Sequence, residues 1–156
     1  PTERPRRCDP APDMSGDLYE KRILELARNE DRAGRLTSYD ATATVDNPLC
    51  GDRITIDLAV EAGRITDIGT VVRGCILCQA SAAALAGQAI GKDAVKLAAA
   101  AQSLEAMLRS NAAAPDDEWR DLAVFTPVAG HKSRHRCVTL PFEAIDEALK
   151  VADSEL

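Results

Sequence analysis

Two alternating runs, "RITIDLAV" and "RITDIGTVVRG", flank the tripeptide "EAG" and leave the middle of the chain little choice but an antiparallel hairpin. The first puts Ile54, Ile56, Leu58 and Val60 on one face, and Gly63 in the turn accepts positive φ. Upstream, "SYDATATV" alternates Tyr39, Ala41, Ala43 and Val45 and runs toward Asp46 as a further strand. A meander of three antiparallel strands is expected, with a solvated face carrying Thr55 and Asp57. In such an up-down-up path the loop between the first two strands lies at the same end as the exit of the third. That brings Cys50, Asp52 and Cys75 together.

Helices are expected on either side of the meander. "DLYEKRILELARN" places Tyr19, Ile23, Leu26 and Ala27 on one face, with Ser15 or Asp17 as N-cap. "CILCQASAAALAGQAIG" reads as an alanine-rich helix that begins near Cys75 and stops at Gly91. "DAVKLAAAAQSLEAMLRS" continues as a long helix through Leu97, Ala101, Leu104 and Leu108, and "PDDEWRDLAVF" as a shorter one. In "RHRCVTLPFEAIDEALKVA", Cys137 falls at or just before the opening turn of a last helix and Pro141 near its start. The fold class is α+β, a three-stranded antiparallel sheet packed against about five helices. With 46% apolar residues in 156, one core forms. Only 3% are aromatic, so Ile, Leu, Val and Ala must fill that core, which argues against a bulky organic cofactor. The four prolines and the charges of "PTERPRRCDPAPD" cannot bury enough surface to fold, so residues 1–14 are expected to be a disordered extension and residues 15–156 the domain.

A net charge of -6 argues against nucleic acid as the partner; "HKSRHR" at 131–136 is a local exception. No run approaches the roughly 20 apolar residues of a membrane span, and no signal peptide is visible, so a cytoplasmic location and no membrane association are expected. Five cysteines without a secretory signal favour metal or thiol chemistry over a disulfide framework. Cys8 falls in the extension. Cys75 in the first turn of its helix feels the helix N-terminus, which favours thiolate, and Cys137 is placed similarly. The thiolates of Cys50, Cys75 and Cys137 with the Asp52 carboxylate match a four-coordinate site for zinc or iron, with the carboxylate as the more exchangeable ligand. The plainer alternatives are that the cysteines are small buried hydrophobes and that Asp52 is a turn residue. Cys78 shares a helix face with Cys75 but is expected to pack against the sheet, and "CILC" lacks the βαβ setting of a thioredoxin-like pair. His135 is expected to be solvated within its basic run, with ligation the lesser alternative.

"NPLCGDRI", then "RGC" followed by "ASAA", then "RHRC" before a closing helix, resemble the iron-sulfur cluster assembly scaffold family of IscU and NifU N-terminal domains, over about residues 18–149. The long interval from Cys75 to Cys137, and Arg136 where IscU-type scaffolds carry histidine, are more similar to the SufU branch. "TPVAGHK" stands where IscU scaffolds carry "LPPVK". The resemblance implies that Cys50, Asp52, Cys75 and Cys137 hold zinc, as in SufU-like proteins, or a [2Fe-2S] cluster, as in IscU-like ones. It implies sulfur from a pyridoxal-phosphate cysteine desulfurase of the SufS kind, and downstream assembly proteins as further partners. The activity is then zinc-dependent sulfur transfer or a non-enzymatic scaffold. Cys50 or Cys137 is the candidate persulfide carrier. Lys132, Arg134 and Arg136 are expected to be solvated, with Arg134 the strongest candidate for supporting a persulfide or steering an acidic partner. The competing reading is a metal-stabilised interaction module whose zinc is purely structural. A Cys-His hydrolase is set aside for want of a glycine-rich nucleophile elbow.

Overall fold

The computed structural model describes residues 21–49, 51–113 and 117–154. The expected extension at residues 1–14, the caps at Ser15 or Asp17, Tyr19, and both Cys8 and Cys50 lie outside these residues. Helix α1, Lys21–Arg28, buries Ile23 and Leu26. Strands β1 (Ala41–Asn47), β2 (Asp52–Glu61) and β3 (Arg64–Arg73) then form an antiparallel sheet in the order β1-β2-β3, the expected meander.

One face of this sheet is the floor of the core. Val45 pairs with Ile54, Ala43 with Ile56 and Ala41 with Leu58, and the three β2 side chains have no exposed surface. On β3, Ile65 and Ile68 are three residues apart, and a regular strand would point them to opposite faces. The register shifts so that Ala59 pairs with Asp67 while Val60 pairs with Ile65. Thr66 is thereby the extra residue of a bulge, and both isoleucines reach the inner face, where each is 1% exposed. The β2–β3 turn is closed by Ala62 and Gly63, both at positive φ (54° and 78°), the backbone of a two-residue hairpin.

The opposite face is not solvated as expected. Residues 32–34 run along the free edge of β3, with the Thr70 N–H donating to the Arg32 carbonyl (3.0 Å) and the Gly34 N–H to the Thr70 carbonyl (2.7 Å). The segment then crosses the sheet over Gly69, where a Cβ would stand 2.5 Å from the Gly34 carbonyl oxygen. Asp57 beneath it is fully buried. Its carboxylate accepts from Arg35 Nε (2.6 Å), Thr42 Oγ1 (2.7 Å) and the Leu36 N–H (3.0 Å). A cation and two neutral donors therefore make burial of a charge tolerable. Thr55 is half-buried and shares a hydrogen bond with Thr44 (2.8 Å).

Helices α2 (Ile76–Ala89), α3 (Ala94–Ser110) and α4 (His135–Ser154) complete the core. α4 lies across β1 and β2, and α2 packs against β3, α1 and α4. Alanines at 80, 82, 84, 86 and 89 are buried on α2, which explains how one helix can have so many close neighbours. α3 is capped by Asp93, whose carboxylate accepts from the Lys96 N–H (2.9 Å). The segment expected as a short helix from Pro115 is instead a 3-10 run, Asp117–Gly130, kinked at Trp119; Pro115 itself lies outside the described residues. Trp119, Leu122, Phe125 and Val128 are buried at intervals of three, the period at which 3-10 side chains eclipse. Pro141 sits in the second turn of α4, deeper than expected, and offers no N–H to the carbonyl of Cys137 one turn earlier.

Candidate metal centre

The β1–β2 loop is shaped by Asn47, which the "DNP" signal for turn initiation could have identified. Its carbonyl accepts from the Gly51 N–H (2.8 Å) and its side-chain oxygen from the Leu49 N–H (3.1 Å). Asn47 pairs with Asp52 as the last rung of β1 and β2, which fixes Asp52 at the sheet end with 2% of its surface exposed. On the other side of β2, Arg53 pairs with Arg73 at the end of β3. The chain leaves that rung through Gly74 directly beside Asp52. A Cβ on Gly74 would lie 2.7 Å from Asp52 Oδ1, so only glycine allows this approach. Gln79 holds the exit by donating from Nε2 to the Gly74 carbonyl (2.9 Å).

Cys75 follows as the N-cap of α2. Its N–H donates to Asp52 Oδ1 (3.2 Å) and its thiol approaches Oδ2 (3.6 Å). Cys137, in the first turn of α4, has no exposed surface. One ligand atom from each of Asp52, Cys75 and Cys137 lies within 4.8 Å of the other two. Two thiolates on one zinc at about 2.3 Å would be roughly 3.8 Å apart in tetrahedral geometry, so a small contraction would suit the donor set to zinc or iron. The sequence-based expectation that Asp52 and Cys75 converge is met. Cys50, between exposed Leu49 and Gly51, falls outside the described residues. The Cys137 thiol, hydrogen-bonded to Cys75, holds the Cys75 thiol below its ordinary range; burial and the Asp52 charge oppose this, and the backbone N–H groups of Leu77 and Cys78 assist it.

Arg134 corrects another expectation. It is not solvated but only 8% exposed, at the end of the short 3-10 turn Lys132–Arg134 that leads into α4. The turn is tied by the Arg134 N–H to the His131 carbonyl (2.9 Å), which folds the side chain inward three residues before Cys137. Nη1 of Arg134 is buried and has no hydrogen-bond partner among the described residues, and neither has Nε2 of His131. A buried guanidinium remains charged, so an unused N–H there is costly unless an anion meets it. Lys132 is exposed as expected, and Arg136 forms a surface pair with Glu143 (3.0 Å). His135 contacts the Ala129 carbonyl through Nε2 (3.1 Å), which commits that nitrogen away from the Asp52 cluster. Cys78 is in the hydrophobic core, in agreement with the packing alternative. Asn47, Gly74 and Gln79 are the positioning residues that sequence reasoning missed.

Residues 18–150 match the family model described as the NifU-like N terminal domain. The iron-sulfur cluster assembly scaffold protein IscU of Thermotoga maritima is 26% identical over 133 residues, 85% of this chain and 93% of that protein. The zinc-dependent sulfurtransferase SufU of Bacillus subtilis is 23% identical over 132 residues, 85% of this chain and 89% of that protein. Among solved structures, the N-terminal part of a nitrogen-fixing NifU-like protein from Brucella abortus superposes with a TM-score of 0.87 at 38% identity, covering 92% of this chain and 99% of that one. No helix among the described residues is long and apolar enough to cross a membrane.

Proposed function

The chain belongs to the NifU-like N-terminal domain family, and from that membership we propose that it acts in iron-sulfur cluster assembly, receiving sulfur at a centre made of Cys50, Asp52, Cys75 and Cys137. The observation that carries the site is the convergence of Asp52, Cys75 and Cys137 at the end of the sheet; Arg134, three residues before Cys137, is buried with Nη1 lacking a hydrogen-bond partner among the described residues. Both activities named for the relatives, scaffold and zinc-dependent sulfurtransferase, call for thiolates gathered at one point.

Zinc held by these residues would keep the thiolates deprotonated and in place between transfers. Iron and the finished [2Fe-2S] cluster are cargo on the same donors. Sulfur arrives as the persulfide of a pyridoxal-phosphate cysteine desulfurase of the SufS kind. An acceptor thiolate attacks the outer sulfur, a new S–S bond forms, and the desulfurase thiolate leaves. Cys137 has no exposed surface, whereas both neighbours of Cys50 are exposed, so Cys50 is assigned as acceptor and Cys137 as retained ligand. Arg134 would stabilise the anionic persulfide through Nη1. Downstream assembly proteins take the product, and a cytoplasmic setting suits a chain in which Cys75, Cys78 and Cys137 form no disulfide.

Anaerobic incubation of the chain with such a desulfurase and cysteine tests this reading. Intact-mass analysis should show an added sulfur that Cys50→Ser removes and Arg134→Gln diminishes. Stoichiometric metal with no sulfur uptake would instead favour the structural-zinc interaction module.

A further inference from the structure

Cys78 is the buried nucleophile for which the centre has no use. It is fully buried, and it is absent from the Asp52, Cys75, Cys137 group. The other buried side chains of α2 are Leu, Ala and Ser, so a thiol is an exception on that face. Its position relative to Cys75 is specific. Cys75 is the N-cap and Cys78 the third residue of the helix, so the two thiols start from Cα atoms one helical turn apart. Residues three apart on a helical turn have Cα atoms about 5 Å apart. That spacing lies within the range a disulfide bridges. Cys75 is partly exposed and Cys78 is not, so chemistry can reach Cys78 from solution only by way of Cys75.

We propose that Cys78 is a resolving thiol, which releases sulfur bound at Cys75 as hydrogen sulfide and closes a Cys75–Cys78 disulfide. The proposal rests on the sulfur-receiving reading above, because its substrate is a persulfide. Cys75 takes the outer sulfur from the Cys50 persulfide, or from a small persulfide that reaches it directly, forming Cys75–S–SH and releasing the donor thiolate. Cys78 then attacks Sγ of Cys75: the bond between the two cysteines forms, the bond to the outer sulfur breaks, and that sulfur leaves with the Cys78 proton. The outer sulfur gains two electrons, and the two cysteine sulfurs lose one each. An external dithiol reductant restores the pair. A cluster needs sulfur at the sulfide level, two electrons below the sulfane sulfur of a persulfide, and this pair supplies those electrons within the chain. Closing the disulfide also withdraws Cys75 from the ligand set.

The test uses the full chain, freed of metal, reduced, and exposed anaerobically to glutathione persulfide. That probe bypasses the desulfurase, so failure of sulfur delivery and failure of resolution are read separately. The parental chain should release stoichiometric sulfide, and its peptide containing residues 75–78 should lose two hydrogens. Cys78→Ala should keep the added sulfur on Cys75 and release sulfide roughly tenfold more slowly or worse. Cys78→Ser, closer in shape, repeats the comparison if the alanine variant folds poorly. Sulfide release by the Cys78 variants at the parental rate, a Cys75–Cys137 bond in place of Cys75–Cys78, or a persulfide that persists on Cys75 of the parental chain would each overturn the proposal.

Discussion

Two buried aspartates of β2, five residues apart, are treated in opposite ways. Asp57 receives a guanidinium, a hydroxyl and a backbone N–H under the cover of residues 32–36. Asp52, at 2% exposure, is met by the N–H and thiol of Cys75, with Cys137 alongside. The cations differ in the same sense. Arg35 is half-exposed and bonded to Asp57, whereas Arg134 is buried with Nη1 unpartnered among the described residues. Asp57 is saturated and belongs to the fold. Asp52 stands with two thiols that can take a metal, and Arg134, three residues before Cys137, keeps an N–H without an acceptor among the described residues, spare polar capacity of the kind a site needs if an ion or a sulfur anion is to enter and leave.

The largest effect expected from breaking this comparison is on metal. A Cys75→Ser, Cys137→Ser variant should lose stoichiometric metal altogether while Asp57 and the sheet remain intact, as checked by metal analysis and circular dichroism. Asp57→Ala should do the reverse: a loss of about 2–3 kcal/mol in a urea titration, from stranded donors, with metal content per folded chain unchanged. Acid supplies a second view of the same contrast. Burial alone would raise the Asp57 carboxyl, but the hydrogen bonds from Arg35, Thr42 and the Leu36 N–H outweigh it and hold it below the ordinary carboxylate range. Its stabilisation is therefore complete above the unfolded value of about 4 and disappears as pH falls below it. Asp57→Asn should flatten the fall in urea midpoint below that pH; a fall as steep as the parental one would remove Asp57 as its source.

The meander, α3, and the meeting of Asp52 with Cys75 were legible because each follows from local periodicity or from the path an up-down-up chain must take. The cover over Asp57 was not. Alternation in β2 identifies two faces, but residues 29–40 carry no period that reveals which face they will lie on. The bulge at Thr66 escaped for a related reason, since the isoleucine spacing of three conflicts with a strand only if both residues must face inward. The period of three in Trp119, Leu122, Phe125 and Val128 is present in the sequence, but over the expected helix, which ends at Phe125, it is too short to be told from an α-helical stripe. Arg134 sits in a basic run whose composition reads as solvated. Its burial is set by the His131–Arg134 turn, which no composition reports.

Two glycines sharpen the comparison on a smaller scale, because each admits one of the aspartates' surroundings. A Cβ at Gly69 would press on the Gly34 carbonyl in the cover over Asp57, whereas one at Gly74 would press on the Asp52 carboxylate itself. Gly69→Ala should cost about 1–3 kcal/mol of stability and leave metal release from the folded chain unchanged. Gly74→Ala should speed metal release to a chelator by about tenfold or more through displacement of Asp52, with a smaller change in unfolding midpoint. Equal effects of the two substitutions on metal release would remove the distinction.

X-ray absorption at the metal edge, on the chain purified anaerobically, tests the central claim most directly. The account predicts a first shell of sulfur with one lighter oxygen neighbour, and conversion to sulfur alone in Asp52→Cys. A shell without sulfur, or one that Asp52→Cys leaves unchanged, would contradict a centre built on Asp52, Cys75 and Cys137.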